Sequence, residues 1–577
     1  MKKILVLFIP KEEWEDKHTL DQYDEVIEVQ DFPSYIKNNP LAWENHFRVF
    51  TSTEVNGKKV LNYFQLAANL NVWFYNKFKI FYDNREAFYE IKYLKSFINE
   101  KDQIHVVSKY LDQSIFISDK INVLKVASVV KPKNKLLTIL KYALIFIFRA
   151  FISNKSSVSK KETILFFQLA SERKIASKFN PEENKILNGY WSYLEEEFGD
   201  EFGYIEDLPF PSLIKPFELN ARMFQIKHKN SYTTEYIIFN SLFSKKVRNL
   251  IKTSISTIWS DLYEVKNQLK EPEDFLIINH CIRLRSITSL YLRKYYSFEV
   301  FFKKTKNIQS ILAYGENLSQ SKVILDSAKS SDIKTFGLQH GIIRPYNVGY
   351  NLSKLEASIH PMPDITIVWG EYWKEQLIEN ANYRPETIKV VGQPRTDIIP
   401  IIMEKYRKNP KLVTFFSQLQ PDLQEKFYSA ESFVKVSKLH PELQFEIKLH
   451  PAETDDIYSK LIEKEGSTNI RINLEKDTFQ LLAESALIMT CFSTVGAEAL
   501  CFNKPLITFD SQGRDIAGYI SNKIAYWVQN EAELNMVVTK FKDGTLEPIE
   551  TKSYVEKTFS KIDGKTNLRI KNIILEK

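Results

Sequence analysis

The chain has 577 residues, too many for one hydrophobic core, so two to four domains are expected. Hydrophobic content of 44% and charged content of 26% are ordinary for a globular protein, and 79 Lys+Arg against 72 Asp+Glu leave a net charge of +7. That mild excess suits nucleotide phosphates or an anionic membrane surface; with no nucleic-acid motif in the chain, it argues against a nucleic-acid partner. Three cysteines (Cys281, Cys491 and Cys501) in apolar contexts, with no CxxC, exclude a disulfide framework or a zinc site and point to a reducing cytoplasm.

The first apolar run, Ile4 to Ile9, is short and followed at once by Glu12, Glu13, Glu15 and Asp16, so it reads as a buried strand rather than a signal peptide. Further strands are expected at 25–30 and 103–107, around an aromatic-rich helical stretch from Val60 to Ile98. Residues 1–130 therefore form an N-terminal α/β region. His105, inside a strand pattern, is expected to be structural.

Residues 131–161 are a basic amphipathic segment and linker. Leu136 to Ile152 is the most apolar window of the chain, interrupted by Lys141 and Arg149 and flanked by Lys131, Lys133, Lys135, Lys155, Lys160 and Lys161. A spanning helix needs about 20 largely uncharged residues. Two readings stay open: a helix lying in the interface of an anionic membrane, or a buried core helix with a basic end.

From Thr163 strands and helix-length segments alternate, with strands at 163–167, 275–279, 310–314, 334–338, 364–370, 388–391, 412–416, 445–449, 486–492 and 505–509. Such alternation predicts parallel, doubly wound sheets. With Pro361 and Pro363 as a connector, an acceptor-side Rossmann-like domain is expected at 162–362 and a second, nucleotide-binding one at 363–577.

Ligands of such sheets bind beyond the carboxyl ends of the strands. Two strand ends in the first unit are polar: Gly315-Glu316-Asn317 and Gln339-His340-Gly341, the latter followed by Arg344. In the second unit a strand ends at His450-Pro451, with Lys448 nearby and a helix expected from Ala452. His450 is either a phosphate donor or a satisfied core histidine. His360 and His440 are expected at the surface. Another strand ends at Phe492, where Ser493 and Thr494 open a small-residue helix, a favourable place for an anion unless Ser493 merely caps it. Gly496 and Ala497 there permit a phosphate or the neighbouring strand to approach, and Glu498 is placed to accept from ribose hydroxyls. There is no Walker, dinucleotide, nucleophile-elbow, HExxH or Asp-x-Asp motif.

The order Gln339-His340-Gly341, Gly392-Gln393-Pro394-Arg395-Thr396-Asp397, His450-Pro451 and Ser493-Thr494-x-Gly496-x-Glu498 resembles GT-B glycosyltransferases of bacterial surface polysaccharide synthesis, in the branch with CDP-glycerol glycerophosphotransferases, capsule Kdo transferases and bacterial sialyltransferases. The resemblance covers about residues 310–515. It implies an α/β, GT-B-like fold of two facing Rossmann-like domains. The implied reaction moves a sugar from a nucleotide-activated donor, CMP-type favoured, to a cell-surface polysaccharide or lipid-linked glycan. No metal and no cofactor are expected, and the setting is the inner face of the cell membrane. His450, Ser493 and Thr494 correspond to the residues that hold the donor phosphate, with Lys448 adding charge. His340 corresponds to the teichoic-acid polymerases' candidate base, although Gln339 before it and Ile342-Ile343-Arg344-Pro345 after it depart from that pattern. Glu316 is the stand-in for the sialyltransferases' carboxylate. Gln339 and Arg344 are acceptor-side candidates. Arg395 either reaches the phosphates or forms a structural salt bridge. CDP-glycerol-type polyol-phosphate transfer, a sugar-nucleotide 2-epimerase and a non-catalytic assembly protein are the alternatives.

Overall fold

The computed structural model describes residues 2–10, 14, 17–39, 41–97, 103–116, 121–125, 135–152, 163–169, 172–176, 178, 184–188, 193–199, 202–207, 231–343, 348–418, 423–450, 453–474 and 476–576. Three parallel sheets organise them. The first comprises β1 (Lys3–Leu7), β2 (Glu25–Glu28), β3 (Gln103–Ser108) and β4 (Ile121–Lys125) in the order β2-β1-β3-β4. Helix α1 (Trp73–Phe97) crosses between β2 and β3. It starts only after short strands at 65–67 and 70–71, later than the apolar pattern suggested. His105 is structural, as expected, with the Tyr23 hydroxyl 2.8 Å from its Nδ1.

Helix α2 (Lys135–Ile152) precedes the second sheet. That sheet contains β5 (Thr163–Leu169), β6 (Phe202–Asp207), β7 (Ser231–Thr233), β8 (Ile308–Tyr314), β9 (Lys334–Leu338), β10 (Ile365–Val368) and β11 (Ile388–Val390), ordered β7-β6-β5-β8-β9-β10-β11. Between β7 and β8 run α3 (Thr234–Leu242), α4 (Lys245–Gln268), α5 (Pro272–Arg283) and α6 (Arg285–Lys304). The expected strand at 275–279 is a correction: it lies inside α5. Pro272 opens that helix with Glu273 and Asp274 in its first turn, and Phe275 to Asn279 are buried consecutively, so helical periodicity is invisible there.

The third sheet contains β12 (Leu412–Phe416), β13 (Gln444–Lys448), β14 (Ile470–Asn473), β15 (Leu487–Thr490), β16 (Leu506–Phe509) and β17 (Tyr526–Val528). Its order is β14-β13-β12-β15-β16-β17. Both larger sheets run outward in two directions from their first strand, the doubly wound Rossmann order. In the third sheet the central strands are buried along their whole length, which is why they read as unbroken apolar runs. The chain is thus an α/β protein with two Rossmann-like units in tandem behind an N-terminal α/β region, a GT-B-like plan. Helices α7 (Thr478–Glu484) and α8 (Thr494–Cys501) flank β15.

The expected boundary at 362/363 moves. Strands β10 and β11 pair into the second sheet, so the crossover is the segment from Gly392 to Ile398. The terminal helix α9 (Thr566–Ile574) also returns to that unit. Ile570 and Ile574 share a core with Leu312, Phe336, Leu338, Ile367 and Val391. Asp397 accepts from the amides of Thr566 and Asn567 at 2.7 and 2.9 Å, capping α9. The N-terminal region is fastened to the same first Rossmann-like unit by buried polar pairs from α1: Trp73 Nε1 and Lys77 Nζ both reach Glu356 at 2.9 Å.

Candidate functional site

The first half-site is the carboxyl edge of the second sheet, whose winding reverses between β5 and β8. His340 follows β9, one strand from that reversal. Its ring packs edge-on against Tyr314, the last residue of β8, at 5.6 Å, and the Tyr314 hydroxyl donates to the His340 carbonyl at 3.1 Å. Burial lowers the pKa of the His340 ring, so the neutral form dominates at neutral pH.

Two neighbours predicted to join it do not. Glu316 is buried, accepting from Thr366 Oγ1 at 2.8 Å and from the Tyr383 hydroxyl at 2.7 Å. It lies against Gly337, where a Cβ would stand 1.7 Å from Glu316 Oε2, so Gly337 exists to admit this carboxyl. Burial raises its pKa. Glu316 is a core carboxyl beneath β9, with both oxygens engaged by neighbouring hydroxyls. Gln339 is also internal: its Nε2 donates to Gly341 O and its Oε1 accepts from Trp369 N, both at 2.9 Å. The side chain staples the ends of β9 and β10 instead of facing an acceptor. Arg344 lies outside the described residues.

The second half-site is the reversal between β12 and β15 in the third sheet. Two residues that sequence reasoning passed over, Ser417 and Gln418, follow β12 there. Gln418 Oε1 accepts from Phe492 N at 2.9 Å, bridging the reversal, while its Nε2 is buried without a protein partner among the described residues. Ser417 Oγ accepts from His450 N at 3.0 Å and also meets Glu453, whose carboxylate is held by Lys426. A half-buried His450 is thereby placed on a braced loop beside the reversal. Pro451 and Ala452 lie outside the described residues, and the next helix starts at Asp456.

Lys448 points elsewhere. Its ammonium donates to Lys476 O, on the β14 side of β13, and burial lowers its pKa against the opposing pull of Asp477 and Glu446. The α8 terminus is largely closed by the protein itself. Val495 N donates to Ser493 Oγ at 3.3 Å, Gly496 N to Ser493 O at 3.0 Å and Ala497 N to the Tyr519 hydroxyl at 2.9 Å. A Cβ at Gly496 would meet the Tyr519 ring at 2.8 Å. Gly496 therefore admits a tyrosine, and Ser493 is an N-cap. Thr494 alone in this group is exposed. The two other histidines expected at the surface are packed: His440 is buried with Nε2 2.8 Å from Asn535 Oδ1, and His360 sits edge-on to Phe74 at 4.3 Å.

The crossover joins the halves. Arg395 Nη1 lies 3.1 Å from Glu498 Oε1 on α8, and the guanidinium stacks over Phe479 of α7 at 4.9 Å. Burial pulls its pKa down, and Glu498, Asp477, Tyr314 and Tyr193 more than offset this, so the net shift is upward. The salt-bridge alternative for Arg395 is the one formed. Glu498 is consequently committed through Oε1, whereas Oε2 is buried without a partner among the described residues.

No family model matches the chain. An uncharacterized protein of Methanocaldococcus jannaschii is 25% identical over 234 residues, which are 40% of this chain and 42% of that protein, so the match spans less than half of that relative. Three solved structures have similar folds. Staphylococcus aureus MnaA with UDP has 13% identity and a TM-score of 0.40, covering 72% of this chain and 96% of that one. UDP-GlcNAc 2-epimerase from Neisseria meningitidis bound to UDP-GlcNAc has 13% identity and a TM-score of 0.42, covering 72% and 100%. The wall teichoic acid polymerase TagF soaked with CDPG has 13% identity and a TM-score of 0.42, covering 76% and 96%. Similarity at this level does not extend to activity.

Proposed function

We propose that the chain is a glycosyltransferase that moves a sugar from a nucleotide-activated donor, CMP-type favoured, to a surface polysaccharide or lipid-linked glycan at the inner face of the cell membrane, without a metal or cofactor. The observation that carries the proposal is His340: a histidine held neutral by burial, at a strand's carboxyl end, one strand from the reversal of its sheet. A neutral imidazole there is suited to take the proton of an acceptor hydroxyl. The leaving nucleotide belongs at the other reversal, with Gln418 Nε2, His450 and the Thr494 hydroxyl as donors to its phosphate. Lys448 and Ser493, committed elsewhere, take no part. The motif order that resembles the GT-B branch supports the same division of labour.

Polyol-phosphate transfer from CDP-glycerol is the second reading, favoured by the His340-Gly341 pair that resembles the teichoic-acid polymerases. Incubation with CMP-, CDP-, UDP- and GDP-activated donors, scored by nucleotide released and product formed, separates the two. Absence of any nucleotide binding would remove both.

A further inference from the structure

We infer that α2, together with the α3–α4 corner, forms a docking surface for an anionic lipid bilayer. The helix is fixed to the protein by one face. Arg149 and Glu235 pair at 3.0 Å with both side chains buried, Thr233 Oγ1 donates to Arg149 O at 3.1 Å, and Ile145 and Ala150 are buried beside them. The other face, Leu140, Ala143, Leu144, Ile147, Phe148 and Phe151, recurs at helical spacing and is exposed to solvent. This is the reverse of a core helix, in which such a stripe would be covered. Both readings of this segment hold in part: one face is core and the opposite face is solvent-exposed.

The apolar surface continues beyond α2. Phe151, 71% exposed, packs on Phe239 at 5.5 Å, and Phe239 on Phe243 at 6.2 Å. Phe243, 74% exposed, stands at the corner where α3 turns into α4. The first turns of α4 then present Lys245, Lys246, Arg248 and Lys252, all exposed. No Asp or Glu occurs between Glu235 and Asp261, nor between Asp119 and Glu162. An apolar ridge flanked along the chain by Lys and Arg and by no acidic residue matches a bilayer, with acyl chains under the ridge and headgroup phosphates against the lysines. A second copy of the chain is the poorer occupant, because a two-fold contact would set the two basic borders against each other. Spanning is not an option for α2: among the described residues no helix is long and apolar enough to cross a membrane.

The proposal stands whether or not the transferase reading does. Its test is flotation of the full chain with phosphatidylcholine vesicles, with and without phosphatidylglycerol. The expected result is binding to the anionic vesicles that weakens with salt. Leu144→Glu with Phe148→Glu abolishes it, and Lys245→Ser with Lys246→Ser and Arg248→Ser weakens it about a hundredfold. Phe243→Glu, at the corner, weakens it as well. Unfolding transitions matching the wild type confirm that these solvent-facing substitutions leave the fold intact. Wild-type protein that ignores anionic vesicles, or variants that bind as wild type does, overturns the proposal. So does a dimer that Leu144→Glu with Phe148→Glu dissociates while vesicle binding is unchanged.

Discussion

Arg395 and Glu498 meet at 3.1 Å across the junction of the two Rossmann-like units, the arginine from the crossover after β11 and the glutamate from inside α8. Glu498 is 2% exposed and has one oxygen without a partner among the described residues, so it depends on Arg395 for its charge balance. Removing one member of a fully buried pair leaves an uncompensated charge at a cost of about 3 to 5 kcal/mol, an upper bound here because the Arg395 side chain is 25% exposed, whereas replacing both by apolar groups is often near neutral. Arg395→Ala is therefore expected to lower stability by up to that amount in urea titrations, and Arg395→Met with Glu498→Leu to recover most of it.

Glu316 separates a core carboxyl from a catalytic one. Held by Thr366 and Tyr383 beneath β9, it is expected to tolerate Glu316→Gln with turnover near wild type. Gly337→Ala, by contrast, should destabilise by at least about 1 to 3 kcal/mol through overpacking against it, read as a lower urea midpoint. Loss of turnover in a folded Glu316→Gln protein would restore the carboxylate as a base candidate.

Gln418 is expected to act on donor binding. Gln418→Ala removes the acceptor for Phe492 N together with an amide that has no partner among the described residues. A rise in donor KM with kcat little changed is the expected outcome, in steady-state assays with the donor identified by nucleotide release.

Glu90 on α1 makes stability pH-dependent in an unusual direction. Burial raises its pKa to about 8, against the Ser108 hydrogen bond that lowers it. Because the folded value lies above the unfolded 4.5, the stabilisation is complete below pH 4.5 and is lost as pH rises toward 8, with a slope of up to about 1.4 kcal/mol per pH unit. Glu90→Gln should flatten this slope in denaturation series between pH 5 and 8.

Much of this architecture was legible in the chain. Runs such as Leu412 to Phe416 declare buried parallel strands because both their faces are covered, and the polar ends at His340 and His450 follow directly from them. Sheet membership was not legible. Pro361 and Pro363 look like a linker, yet β10 and β11 pair behind them, a choice made by tertiary packing. The burial of Glu316 depends on Gly337, Thr366 and Tyr383, none adjacent in sequence. Gln418 belongs to no motif; the available signal was its place after the first strand of the third sheet, where the winding reverses. The exposed stripe on α2 was half legible, since amphipathic spacing marks two faces without saying which is covered.

The most direct test is donor turnover by the wild type and by His340→Ala, measured as nucleotide release with donor affinity determined in parallel. The expected result is release from one class of nucleotide-activated donor by the wild type, with an acidic limb below pH 6.5 because the His340 pKa is lowered. In His340→Ala, kcat should fall by about 10² to 10⁴ with donor affinity retained. Unchanged turnover in His340→Ala, or no donor bound by the wild type, would contradict it.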